Sequence, residues 1–464
     1  MKPFSECSAT ELNALYRAGE ARPSEVVQDV LSLIDAKNPV LNAFRVIDHD
    51  GVMQAARASD QRWQDLRPQG LLDGVPVSVK DIILTRGLST LRGSQSVDPN
   101  QAWDTDAPCV ARLREAGALI LGKTTTPEFG CKGTTDSFLT GVTRNPYNTE
   151  MTPGGSSGGA AAAIAARLGP LALGTDGAGS IRIPSAFCGV TGIKASFGRV
   201  PAYPSSPFGT LAHIGPHARS VRDLALALNV ISRDDVRDWF ALPSANIDFL
   251  DGLDQGVDGL RVAYSPALGH ATVDPEVARA TRRAAACLEG LGAVVEEVDP
   301  GFSDPLDLIC ALWFVGSATL LAGIPAEKHA LLDPALLWQA EEGRKLSAVD
   351  LSRIGIRRAE LGRLMREFHL RYDLLLTPSV AITAMPVAQT GSMQGFTPEA
   401  FLGWTPFSYP FNLTQQPALS LPAGLAANGL PVSVQLVGAM HQDALVLRAG
   451  AALEMALGPM PAPS

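Results

Sequence analysis

Two glycine-rich segments, each built around a serine, constrain this chain more than any other feature: PGGSSGG at 153–159 and GTDGAGSIRIP at 174–184. Glycine at this density lets the backbone turn tightly and approach other groups closely. Each segment runs into residues that read as a helix, and a helix N-terminus carries unpaired N–H groups and partial positive charge. That combination suits the stabilisation of an oxyanion formed when a hydroxyl attacks a carbonyl. Gly177, Ala178 and Gly179 allow the second segment to curl so that several N–H groups aim at one point.

A serine nucleophile needs a base, and none of the seven histidines lies in either segment. Lysine is the alternative. With an unperturbed pKa of about 10.4, a lysine is neutral in only about one molecule in two thousand at pH 7. A useful lysine base must therefore be desolvated or held in positive potential, and lowering its pKa by about 3 units corresponds to about 4 kcal/mol. Lys80 ends the run Val75-Pro-Val-Ser-Val-Lys80, which follows the turn pair Asp73-Gly74 and alternates like a half-buried strand with Lys80 and Ser78 on one face.

Around these segments the chain alternates helices and strands, as α/β proteins do. A helix is expected from Ser24 to Ala36, with Ser24 as its N-cap and Val26, Val27, Val30, Leu31 and Ile34 on one stripe. Another, from Ala107 to Ala116, leads into a strand at 118–121. An Ala-rich helix at 159–167 precedes a strand at 171–174. Residues 260–299 read as a β-α-β unit and the next seventy residues as mainly helical. A strand follows at 373–377, then a hairpin of 418–421 and 431–437 around Asn428-Gly429.

Composition bounds the function classes. Hydrophobic residues make up 46% and charged residues 18% of 464, enough for a large core and without a signature of disorder. A net charge of −9 without a long basic run gives no attraction to nucleic acid or anionic lipid. The first residues lack the pattern of a secretory signal, and the stretch 158–174 is too short and too interrupted for a membrane span. The six cysteines show no C-x-x-C spacing, as expected of reduced thiols in a cytoplasmic protein. No metal and no cofactor are expected. His213 and His217 are four apart, but Gly215-Pro216 breaks any helix that would align them as ligands, so a structural role is expected for both.

DGVPVSVKD at 73–81, GKTTTPEFG at 122–130, TRNPYN at 143–148, PGGSSGG and GTDGAGSIRIPSAFCGVTGIK at 174–194 occur in the order in which the amidase signature family carries them. The chain closely resembles that family, strongly over residues 60–225 and more loosely from DLLLTP through PALSLPAG to GLPVSVQLVG. The resemblance implies one α/β domain over 1–464, a large twisted mixed sheet covered by helices, although length alone suggests two to four domains. Its parts would be the motif core at 60–225, a helical and β-α-β elaboration at 240–370, and C-terminal core strands at 373–456.

The resemblance also implies Lys80 as base, Ser156 as relay after a cis peptide bond, and Ser180, 24 residues further on, as the nucleophile that forms an acyl-enzyme. The N–H groups of Gly177, Ala178, Gly179 and Ser180 would hold the oxyanion. The family often has isoleucine and glycine at the positions of Gly177 and Ala178, a change expected to loosen the packing of the loop. Asp176 and Arg182 are expected to pair and fix the turn, and Ser157 and Thr175 to orient the relay. Cys131, Phe208 and Trp404 are candidates for the acyl pocket.

The implied substrate is a small-molecule amide, with no nucleic-acid or membrane partner and with a homodimer possible. The motifs look more like those of stand-alone amidases than those of the glutamine-hydrolysing component of a glutamyl-tRNA amidotransferase complex, which is the alternative. An inactive binding scaffold is the reading from another class. A P-loop is disfavoured because no Lys-Ser/Thr follows the glycines. A nucleophile elbow at Gly154–Gly158 is disfavoured because loop, not strand, precedes it.

Overall fold

The computed structural model describes residues 2–243, 247–389 and 396–463. Its strands are β1 (Phe44–Ile47), β2 (Pro76–Lys80), β3 (Leu119–Thr124), β4 (Leu171–Asp176), β5 (Thr191–Lys194), β6 (His213–Ala218), β7 (Arg261–Tyr264), β8 (Val294–Glu297), β9 (Leu374–Pro378), β10 (Ala418–Leu425) and β11 (Pro431–Gly438), beside a small separate hairpin. They make one 11-stranded mixed sheet in the order β1-β3-β2-β4-β6-β5-β10-β11-β9-β7-β8. β3, β2 and β4 run parallel, β6, β5, β10 and β11 alternate in direction, and β9, β7 and β8 are parallel again.

The fold is therefore the expected α/β arrangement, and the expected β-α-β unit and C-terminal hairpin are both present. Helices cover both faces, so alternate residues of one strand enter different cores. Leu171 and Leu173 join Val77 and Val79 in one cluster, whereas Ala172 joins the Ala-rich helix Gly158–Ala165 in another. This corrects the reading of β2 as half-buried: all five of its residues are buried. Ser78 and Lys80 face a second interior rather than water.

The first long helix also differs at its ends. It runs Pro23–Leu41, with Pro23 in its first turn and Arg22 at the cap. Proline suits that place because its missing N–H would have had no helical acceptor there. Ser24 instead gives its N–H and its hydroxyl to Asp60, at 2.9 and 2.5 Å, which ties this helix to the helix His49–Gln64. Among the described residues no helix is long and apolar enough to cross a membrane. The apolar helix Leu306–Ala322 sends Leu308, Ile309, Trp313 and Phe314 into a core.

The helix Gly158–Ala165 is wholly buried, and its second residue shows how tightly it is held. A Cβ on Gly159 would lie 2.5 Å from Thr125 N and 2.6 Å from Ala43 O, both backbone atoms that cannot swing aside. In an exposed helix, Gly→Ala stabilises by about 1 kcal/mol. Here overpacking costs about 1–3 kcal/mol and dominates. Gly159→Ala should therefore lower the midpoint of urea unfolding, whereas a raised midpoint would show that the helix is free to shift.

Candidate active site

β2 and β4 lie side by side and in parallel, with Val79 opposite Leu173, so their C-terminal ends open at the same edge of the sheet. Lys80 is the last residue of β2, and Thr175 and Asp176 are the last two of β4. Into this corner the two glycine-rich segments deliver their serines. The peptide bond Gly155–Ser156 is cis. Ser157 N–H donates to Ser180 O at 3.1 Å, stitching the two segments together.

The Lys80 amine is fully buried and has three hydroxyl partners: Ser156 Oγ at 2.7 Å, Thr175 Oγ1 at 2.8 Å and Ser157 Oγ at 2.9 Å. None is a carboxylate. Burial drives the Lys80 pKa well below the usual lysine value, against a weaker opposing pull from Asp176. A neutral amine so placed can accept a hydroxyl proton. Ser157 and Thr175, expected to orient the relay, both bond to Lys80. Ser157 also donates to Thr175 O at 3.1 Å and accepts from Thr175 N at 3.2 Å.

Asp176 and Arg182 pair as expected, with both side chains wholly inaccessible to solvent. Arg182 Nε and Nη2 each donate to the carboxylate at 3.0 Å. The remaining guanidinium donors reach Ser408 O, Gln435 Oε1 and Asn412 Oδ1, at 2.8, 2.8 and 2.6 Å. Burial alone would raise the Asp176 pKa, but the charge and hydrogen bonds of Arg182, with help from Lys194 and Asn412, outweigh it and hold it far below the usual carboxylate range.

The Asp176 carboxylate also accepts the N–H of Gly179 at 2.8 Å and that of Ile181 at 3.1 Å. Gly179 is thereby corrected as an oxyanion donor, since its N–H is already committed. The N–H groups of Gly177, Ala178 and Ser180 have no protein acceptor among the described residues.

Ser156, Thr175, Gly177 and Ser180 share one cavity with Phe208 and Trp313. Phe208 was expected there. Cys131 and Trp404 were too, but they lie elsewhere: Cys131 is buried with its carbonyl bonded to Gln339, and Trp404 stacks on Phe187 at 6.0 Å. Trp313 was missed, since nothing marks it within an apolar helix. Its ring would meet a Cβ on Gly177 at 2.8 Å and stacks on Phe208 at 4.1 Å. The glycine therefore does not loosen the loop: the indole occupies the space that a larger side chain would take. Ile82 and Phe129, also on the wall, were missed as well, although Phe129 lies within GKTTTPEFG and Ile82 directly follows DGVPVSVKD.

His213 and His217 sit on β6, not on a helix. His217 Nδ1 meets Ser185 Oγ at 2.9 Å and His213 Nδ1 meets Leu211 O at 2.8 Å. Among the described residues no group of three or more side chains is placed to hold a metal ion. Ser156 and Ser180 line the same cavity, and their hydroxyls share no hydrogen bond.

Residues 25–447 match the Amidase family model. An acylamidase of Rhodococcus erythropolis is 38% identical, over 96% of this chain and 94% of that one. A 6-aminohexanoate-cyclic-dimer hydrolase of Paenarthrobacter ureafaciens is 34% identical, over 97% and 94%. The crystal structure of a bacterial aryl acylamidase of the amidase signature family superposes with a TM-score of 0.90, at 34% identity, over 97% and 96% of the two chains.

Removing Arg182 while keeping Asp176 isolates the ion pair. Arg182→Met leaves a buried carboxylate without its counter-charge, which costs about 3–5 kcal/mol at pH 7. In the wild type the depressed Asp176 pKa contributes stability above about pH 4, lost as pH falls through the folded value. In the variant that pKa rises, and protonation relieves the unpaired charge. The stability gap measured by urea unfolding should be widest at pH 7 and narrow toward pH 4. An equal gap at both would place the cost elsewhere.

Proposed function

The chain belongs to the amidase signature family and is an amidohydrolase acting on amides; we propose that it hydrolyses a small-molecule carboxylic amide through an acyl-enzyme on Ser180, with Ser156 as relay and Lys80 as base. The observation that carries this reading is the buried Lys80 amine with three hydroxyl neighbours and no carboxylate partner.

A hydrogen-bond inventory gives the direction of proton flow. A neutral amine has two N–H donors and one lone pair. Ser157 gives its own proton to Thr175 O, so towards Lys80 it acts as an acceptor. When the second N–H goes to Thr175 Oγ1, the lone pair is left for the proton of Ser156. Ser157 and Thr175 thus position the base, and Ser156, having lost its proton, takes the one on Ser180. That last hydrogen bond is of the kind that tightens only in the reacting complex.

Ser180 Oγ then attacks the amide carbonyl, and the N–H groups of Gly177, Ala178 and Ser180 receive the oxyanion. The proton returns through Ser156 to the leaving nitrogen, the amine departs, and water repeats the path to release the acid. The aromatic wall of Phe208 and Trp313 suits an apolar flank on the substrate.

Trapping with a fluorophosphonate probe, followed by peptide mapping, tests the roles. The adduct should sit on Ser180, vanish in Ser180→Ala and form far more slowly in Lys80→Ala, with amide turnover reduced about a thousandfold or more in both. An adduct indifferent to Ser180→Ala would remove the nucleophile assignment.

The pH profile follows from the direction of the Lys80 shift. Protonated Lys80 cannot act as base, so kcat should rise with pH through a pKa well below the ordinary lysine value and then level off. A limb that rises only near pH 10 would mean that Lys80 is charged in the working enzyme.

A further inference from the structure

The cavity over Ser156 and Ser180 is walled in part by a cation that the proposed chemistry does not use. Arg92 is half-buried on that wall, near Ile82 and Phe129. Its guanidinium makes no hydrogen bond or ion pair among the described residues. The backbone beneath it is pinned: Arg92 N–H donates to Asp81 O at 2.8 Å, and Arg92 O accepts from Phe129 N at 2.7 Å. Its φ of 56° lies in the left-handed region, uncommon for a residue with a side chain.

Neither nearby carboxylate is free to neutralise it. Asp81 acts on Arg92 electrostatically but is bound by Arg45 Nε at 2.7 Å and Nη2 at 3.0 Å, and it accepts Leu91 N–H at 3.3 Å. Asp176, the acid on the cavity wall, is held by Arg182. The cavity therefore carries uncompensated positive charge among largely apolar neighbours. A guanidinium in such a place binds best to a planar, two-oxygen anion that reaches both of its N–H edges.

We infer that Arg92 is a specificity-determining residue that binds a carboxylate carried by the substrate, so that the favoured amides have an anionic group on the part lying along the Ile82–Phe129 wall. The inference rests on the hydrolase reading only for where the reacting carbonyl sits. The carboxylate can belong to the acyl or to the amine part, and two probe pairs separate these cases. Glutaranilic acid is compared with pentananilide, and 4-acetamidobenzoate with 4-acetamidotoluene. In each pair a methyl replaces the carboxylate.

Binding is measured by calorimetry in Ser180→Ala, alone and combined with Arg92→Met or Arg92→Lys. The carboxylate member of at least one pair should bind about tenfold or more tighter than its methyl partner. Arg92→Met should bring that ratio close to one and Arg92→Lys should retain part of it. Because each ratio is taken within one protein, it does not depend on how much of a variant is folded. No preference in either pair, or a preference that survives Arg92→Met, overturns the inference. Wild-type hydrolysis of pentananilide, and its loss in Ser180→Ala, tests the catalytic reading separately, so the two failures can be told apart.

Discussion

The buried Asp176–Arg182 pair is the interaction on which the site depends. Taking two charges out of water is costly, and an ion pair recovers that cost only when its remaining hydrogen-bonding capacity is also met. Here it is met. Nε and both terminal nitrogens of Arg182 donate, and the carboxylate takes two guanidinium contacts, two loop N–H groups and the Asn412 amide. An apolar pair of equal volume could fill the space, but it could not aim the N–H groups of the 177–181 turn. The structure uses charge here for placement.

A depressed lysine pKa does not by itself single out Lys80. Lys123 and Lys194 are just as buried, and burial brings each to about 7. They differ in their neighbours. Lys194 is tied to Gln416 O, whereas Lys123 holds Ile83 O, Thr85 Oγ1 and Thr90 Oγ1 in the turns that follow β2. Both bind carbonyl oxygens, which carry no proton to give, and neither lines the cavity. Lys80 meets only hydroxyls, and two of them, on Ser156 and Thr175, belong to residues of the cavity wall.

Much of this arrangement was legible in the chain. The glycine segments and the lysine at the end of β2 carry local signals, and the structure brings Lys80, Ser156 and Ser180 to one corner. What the sequence could not convey has specific causes. Alternation along Val75–Lys80 shows a polar face but does not say whether that face meets water or a buried site, so β2 read as half-exposed. The Asp176–Arg182 pair was visible as neighbours, but Ser408, Asn412 and Gln435 join it from more than 220 residues away, and no local pattern reports that. Trp404 and Trp313 lie in apolar surroundings and Cys131 in a polar loop, and in each case helix rotation or loop path decides which side chain faces the cavity.

Those distant partners bear on how the protein comes into being. Lys80 and both serines leave the ribosome early, with more than half of the chain still unmade. The Arg182 guanidinium then lacks Asn412 and Gln435, and β5 lacks β10, its neighbour in the finished sheet. A nascent chain can hold every residue of its chemistry in sequence and still lack the turn geometry to use them. The full set of partners that holds the Arg182 guanidinium exists only once the C-terminal strands have been made.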